Sequence, residues 1–278
     1  MRDEPTSTLE SGFEEEVPVR PRRKGIYVLP NMITLAALFG GFYAIVMAMN
    51  GRFENAVIGV FCAMVLDSLD GRVARMTHTQ SAFGEQMDSL SDMVSFGAAP
   101  ALIVYEWALK GLGKAGWIAA FVYCACAALR LARFNTNIGV VDKRYFQGLP
   151  SPAAAALVST FIWFIDDAGF REGLKDIPWL VWTTFGVTLY AGLTMVTNVP
   201  FYSFKDLTFR RSVPFVFIVA IALAIALINL HAPTMLFALF VGYGLSGYAV
   251  YAWRRMTGQR ASVIAVSTDE PEESGLHR

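Results

Sequence analysis

Charge is what this sequence has least of. Only 17% of its 278 residues are Asp, Glu, Lys or Arg, against 55% hydrophobic residues. A soluble domain carries nearer a quarter charged residues, so an ordinary water-soluble globule is disfavoured, and a mean hydropathy of +0.44 agrees. Neither sign dominates: 23 basic and 23 acidic residues cancel, and no basic surplus points to nucleic acid as a partner. Cysteine is scarce as well. Cys62, Cys124 and Cys126 all fall in apolar stretches, which excludes a disulfide framework or a zinc site and leaves them as small hydrophobes. There is no internal repeat of fixed short period. The N-terminus is not read as a signal peptide, because its basic cluster comes late and no small-residue cleavage site follows the first apolar run.

What the chain does have is apolar runs of about 17–25 residues, the length that crosses a bilayer. They fall at 31–50, 54–70, 92–109, 115–134, 151–167, 178–197, 213–230 and 233–253. The expected fold is all-α: a polytopic membrane bundle of about eight helices spanning 23–255. Short solvated, disordered tails are expected at 1–22 and 256–278. Basic residues alternate in number from one connection to the next. Arg20, Arg22, Arg23 and Lys24 precede the first run, and the same side receives Arg72, Arg75, Arg130, Arg133, Lys143, Arg144, Lys205, Arg210, Arg211, Arg254, Arg255 and Arg260. The other side receives only Arg52, Lys110, Lys114, Arg171 and Lys175. By the positive-inside rule both termini are cytoplasmic.

Against this background one polar stretch stands out, DSLDGRVARMTHTQSAFGEQMDSLSD, from Asp67 to Asp92. Asp67 and Asp70 are three apart, Asp88 and Asp92 four apart, so on helices each pair shares a face. A connection of about a dozen residues makes their helices neighbours, and the four carboxylates converge at the cytoplasmic edge of the bilayer. Uncompensated charge is costly there. An all-oxygen, strongly anionic ligand set suits a hard divalent cation such as magnesium, manganese or calcium, and two such ions can clamp a phosphate. Gly71 and Gly84 permit close approach, Arg75 offers a fork of donors suited to phosphate oxygens, and Ser81 adds a hydroxyl.

The same stretch matches, position for position, the signature D-x2-D-G-x2-A-R-x8-G-x3-D-x3-D, through Asp67, Asp70, Gly71, Ala74, Arg75, Gly84, Asp88 and Asp92. In this the chain resembles the CDP-alcohol phosphatidyltransferases. The resemblance implies a reaction in which an alcohol attacks the β-phosphorus of a CDP-linked lipid and CMP leaves. It implies two divalent ions, Mg2+ or Mn2+, held by Asp67, Asp70 and Asp88. It implies Asp92 as a further ligand and the general base. Gly71, Arg75 and Ser81 fall where the family holds cytidine and diphosphate.

The signature does not name the alcohol. LPNMIT (Leu29–Thr34), SFGAAPALIVY (Ser95–Tyr105), LRLARFN (Leu129–Asn135), GLPSPAAAA (Gly148–Ala156) and NVPFYSFKDL (Asn198–Leu207) resemble the membrane-embedded phosphatidylserine synthases within this family. Asn31 and Thr34, one turn apart, are expected to bond the cytosine or ribose. Arg130, Arg133 and Lys205 are the cations expected to meet a serine carboxylate. The implied substrates are CDP-diacylglycerol and L-serine, the implied assembly a homodimer. The implied location is the cell (inner) membrane, multi-pass, with the active site facing the cytoplasm. Glycerol-phosphate or inositol-phosphate acceptors remain open on the residues alone. Two rivals fit the pattern less well. A cation-coupled transporter would place its carboxylates near the bilayer midplane, and an aspartate-rich prenyltransferase would place its motifs on widely separated helices.

Overall fold

Small residues at helical spacing govern how the chain folds around the acidic stretch. The computed structural model describes residues 28–136, 145–170, 177–203 and 229–257, with isolated positions between 219 and 226. The expected tails, Lys205 and most of the seventh apolar run lie outside the described residues, apart from Met256 and Thr257 at the end of the last helix.

The described residues are helical almost throughout. Helix α1 (Val28–Met49) and α2 (Phe53–Met76) are followed by α3 (Ala82–Asp92), which runs through a π-helical turn (Met93–Ala98) into α4 (Ala99–Trp107). A 3-10 turn (Leu109–Leu112) leads to α5 (Lys114–Thr136); then come α6 (Ser151–Asp167), α7 (Pro178–Val196) and α8 (Ala232–Met256). Proline opens α6, α7 and α8 within the first turn, where its missing N–H breaks no helical bond. Two three-residue strands, β1 (Tyr145–Gln147) and β2 (Pro200–Tyr202), add a short antiparallel ribbon to the all-α expectation, with Phe146 opposite Phe201. It ties the chain entering α6 to the chain leaving α7. At the turn into α6, Gly148 has φ +77°, and its N–H donates to the Val199 carbonyl at 2.9 Å. A side chain there would also collide with the Met195 carbonyl oxygen.

Helices α1, α5, α7 and α8 are long and apolar enough to cross a membrane, and large apolar side chains along them, such as Phe39, Phe121, Trp182 and Leu239, are exposed. The chain is a membrane protein. Trp117, Trp179 and Trp182 sit exposed near the N-terminal ends of α5 and α7, as aromatic residues do at a membrane–water boundary. Helix α2 has 24 residues but carries Glu54, Asp67, Asp70, Arg72 and Arg75, and α6 has 17.

Packing is tightest where the polar stretch needs support. Ala37, Gly40, Gly41, Ala44 and Ala48 of α1 are buried, as are Ala56, Gly59 and Ala63 of α2, so the backbones approach closely, the usual device where lipid removes the hydrophobic drive between helices. At Gly41 the approach is extreme: a Cβ would overlap the Ser95 Oγ and lie 2.7 Å from its Cα. Ser91 and Ser95 complete the join by donating to the Thr34 and Ala37 carbonyls at 3.3 and 3.2 Å. Helices α1 to α4 thus form a wall against which α5 and α6 pack, while α7 packs mainly on α5 and α8 on α6.

Candidate active site

Helix α2 continues six residues beyond Asp70, and α3 begins at Ala82, so the connection is shorter than the sequence suggested and both aspartate pairs lie within helices. Ser81 caps α3, its Oγ accepting from the Gly84 N–H at 3.0 Å, which satisfies one of the free donors of the first turn. This fixes the direction in which α3 leaves the loop and brings Asp88 back over α2. The π turn at Met93–Ala98 follows Asp92 directly; such turns insert an extra residue and re-aim the side chains around them.

One oxygen each from Asp67, Asp70 and Asp88 lies within 4.8 Å of the others. Asp67 is also within hydrogen-bonding reach of Asp92. Asp70, only 5% exposed, accepts a 2.6 Å hydrogen bond from the Thr34 hydroxyl of α1. Asp88, outside the apolar runs, has its carboxyl pushed up to about 7, first by burial and then by the neighbouring Asp67 carboxylate. Carboxylates gathered this closely require a cation to stay ionised together. The donor set fits a hard divalent ion: it is all oxygen and anionic, and Asp92 Oδ1 is buried with no hydrogen-bond partner among the described residues, an acceptor left for a ligand.

Beside the aspartates lies a cavity of about 230 Å³. All five residues expected to hold the CDP head line it: Asn31 and Thr34 from α1, Gly71 and Arg75 from α2, and Ser81 from the loop, together with Asp70 and Asp88. Thr79, Gln80 and Glu85 line it too; the signature marks none of them, and the available signal was the polar run from the end of α2 into the first turn of α3.

The cations expected on the acceptor side are distributed differently. Arg130 of α5 donates to Ser151 Oγ at the start of α6 and lies within electrostatic reach of Asp92 and of Tyr243 on α8. Arg133, one turn on, donates to the Val196 carbonyl at 2.7 Å and to Asn198 Oδ1 at 3.2 Å, capping the end of α7. Lys205 lies outside the described residues. Ser151 lies in the GLPSPAAAA stretch and Tyr243 in none of the quoted stretches, and nothing in the sequence pairs either with Arg130; tertiary packing alone brings them together.

A family model described as CDP-alcohol phosphatidyltransferase matches residues 27–196. The chain belongs to that family. Membership makes it a phosphatidyltransferase, and the matched region spans α1 to α7. A protein named CDP-diacylglycerol–serine O-phosphatidyltransferase from Helicobacter pylori (strain J99) is 34% identical over 82% of this phosphatidyltransferase chain and 92% of its own length. One of the same name from Methanocaldococcus jannaschii is 31% identical over 80% of this chain and 95% of its own. A third, from Mycobacterium leprae, is 37% identical over 50% of this chain and 49% of its own.

Proposed function

We propose that this phosphatidyltransferase is a CDP-diacylglycerol–serine O-phosphatidyltransferase. The L-serine hydroxyl attacks the β-phosphorus of CDP-diacylglycerol; a phosphorus–oxygen bond to serine forms, the bond to the CMP phosphate breaks, and phosphatidylserine and CMP are the products. The observation that carries this reading is the likeness to serine-named enzymes along four fifths of the chain, which reaches well beyond the signature shared with other acceptors.

Each group then has a task. Asp67, Asp70, Asp88 and Asp92 are proposed to hold one or two Mg2+ or Mn2+ ions. When bound, such an ion neutralises diphosphate charge and aligns the phosphorus for in-line displacement. Asn31, Thr34, Gly71, Arg75 and Ser81 hold the CDP head in the cavity. Arg75 supplies planar donors for phosphate oxygens. Asp92 takes the proton of the serine hydroxyl as its oxygen bonds to phosphorus. Of the three cations, Arg130 is the one closest in role to a serine carboxylate, because it shares the neighbourhood of Asp92. Arg133 contributes by holding the end of α7, and Lys205 is a further candidate.

The basic bias of alternate connections supports a cytoplasmic site in a cell membrane, about eight spans and both termini inside. That orientation gives a water-soluble acceptor access while the acyl chains stay in lipid. The homodimer is proposed from the family resemblance alone. The deciding experiment gives purified protein CDP-diacylglycerol, Mn2+ and serine in competition with glycerol 3-phosphate and inositol phosphate. Phosphatidylserine with stoichiometric CMP is expected. Exclusive formation of another phospholipid would replace serine as acceptor, and no CMP release with any alcohol would sink the enzymatic reading.

A further inference from the structure

The turn between α2 and α3 holds a hydroxyl whose polarity is fixed by its neighbours. The Thr77 hydroxyl lies 2.7 Å from the Val73 carbonyl oxygen. A carbonyl can only accept, so Thr77 donates its single hydrogen there. Thr77 Oγ1 and Thr79 Oγ1 are also 2.7 Å apart. With the Thr77 hydrogen committed to Val73, Thr79 must be the donor in that second bond. The chain of bonds runs one way, from Thr79 to Thr77 to the helix carbonyl. Thr79 Oγ1 is left with its hydrogen spent and its lone pairs available, and no described group donates to it. The turn that sets this up is constrained: His78 has φ +51°, and the Thr79 N–H donates back to the Ala74 carbonyl at 3.0 Å. Thr79 is 7% exposed, and what it faces is the cavity that holds Arg75 and Ser81.

A free hydroxyl would serve as donor or acceptor and could not tell one partner from the other. A hydroxyl locked as an acceptor can. Cytosine carries an exocyclic amine where uracil carries a carbonyl oxygen, and the two differ in hydrogen-bond polarity at that one position. A ribose hydroxyl, able to play either part, would need no such lock.

We propose that Thr79, held in acceptor polarity by Thr77, accepts a hydrogen bond from the exocyclic amine of the cytosine base and so selects cytidine over uridine nucleotides. This deepens the proposed function and rests on it, since the cavity must be the nucleotide site.

The test measures CMP, UMP and dCMP binding to the full-length purified protein with Mn2+, each as a ratio within one preparation, so that the folded fraction cancels. Wild type should prefer CMP to UMP. Thr79→Val, nearly isosteric, should weaken CMP by about three- to tenfold with little change for UMP, and Thr79→Ser should restore the preference. Thr77→Val should act differently: it frees the Thr79 hydrogen, so UMP should tighten and the ratio fall from the other side. Unchanged CMP-to-UMP ratios in both valine variants, or a wild type that does not distinguish the two, would overturn the assignment. A Thr79→Val effect confined to the CMP-to-dCMP ratio would move Thr79 to the ribose and overturn it too. Failure of wild type to bind CMP at all would instead remove the nucleotide reading of the cavity.

Discussion

On one side of the aspartates, α1, α2 and the loop before α3 bring Asn31, Thr34, Gly71, Arg75 and Ser81 to a single cavity. On the other side, α5 carries Arg130 and Arg133 one turn apart and sends them to different partners, Ser151 in one case and the end of α7 in the other. The proposed nucleotide side is built mostly from one continuous stretch of chain, with α1 laid against it through glycine and alanine. The proposed acceptor side draws on α5, α6, α7 and α8, and Arg130 and Tyr243 are more than a hundred residues apart in the sequence. Under the proposed function, the donor nucleotide is met by a local motif and the alcohol by a surface that only tertiary packing creates.

The largest effects should come from the shared floor of both sides. Replacing Asp67, Asp70 or Asp88 by asparagine removes an anionic oxygen from a set held within 4.8 Å. Turnover should fall by more than about a hundredfold in each, with weakened Mn2+ binding by calorimetry. A variant that kept normal turnover at limiting metal would remove that residue from the ligand set.

Asp92→Asn separates the two sides more finely. Asp92, the last residue of α3, is within hydrogen-bonding reach of Asp67 and also within electrostatic reach of Arg130. If it is the base, turnover should fall by roughly 10²–10⁴-fold, while CMP binding to the protein persists, because the proposed nucleotide cavity does not include it. Parallel loss of CMP binding and turnover would make Asp92 a ligand first and a base only by resemblance.

How much of this could be read in advance follows the same division. The ends of α1, α5, α6 and α7 fall within a few residues of the apolar runs, because a bilayer sets the length of an apolar helix. The convergence of the aspartates was legible because three- and four-residue spacings fix a helix face without knowledge of the fold. The π turn after Asp92 was not, since it lies where α1 packs on Ser91 and Ser95; nor was the continuation of α2 to Met76, since that turn of helix lies beyond the apolar run. Nor was the difference between Arg130 and Arg133: two arginines on one helix end look alike until the partners of each are known.

That difference gives the smallest and sharpest prediction. Arg130→Gln should raise the serine KM by about ten- to a hundredfold, the cost of one lost charge-assisted hydrogen bond, and leave the KM for CDP-diacylglycerol nearly unchanged. Arg130→Lys should restore part of it, since the charge returns without the planar fork. Arg133→Gln should do the reverse. Its guanidinium is engaged with the Val196 carbonyl and Asn198, and Asn198 Oδ1 also accepts from Gln147 at 2.8 Å, so the arginine ties α5 to the end of α7 and to the ribbon before α6. Losing it should lower the thermal midpoint in detergent and reduce kcat, with the serine KM moving less than about threefold, because a structural bond stabilises free and bound enzyme alike. A serine KM that rose at position 133 with an unchanged midpoint would exchange the two roles. The acceptor would then be held one turn nearer the end of α5, and Arg130 would be the residue that braces α6 through Ser151.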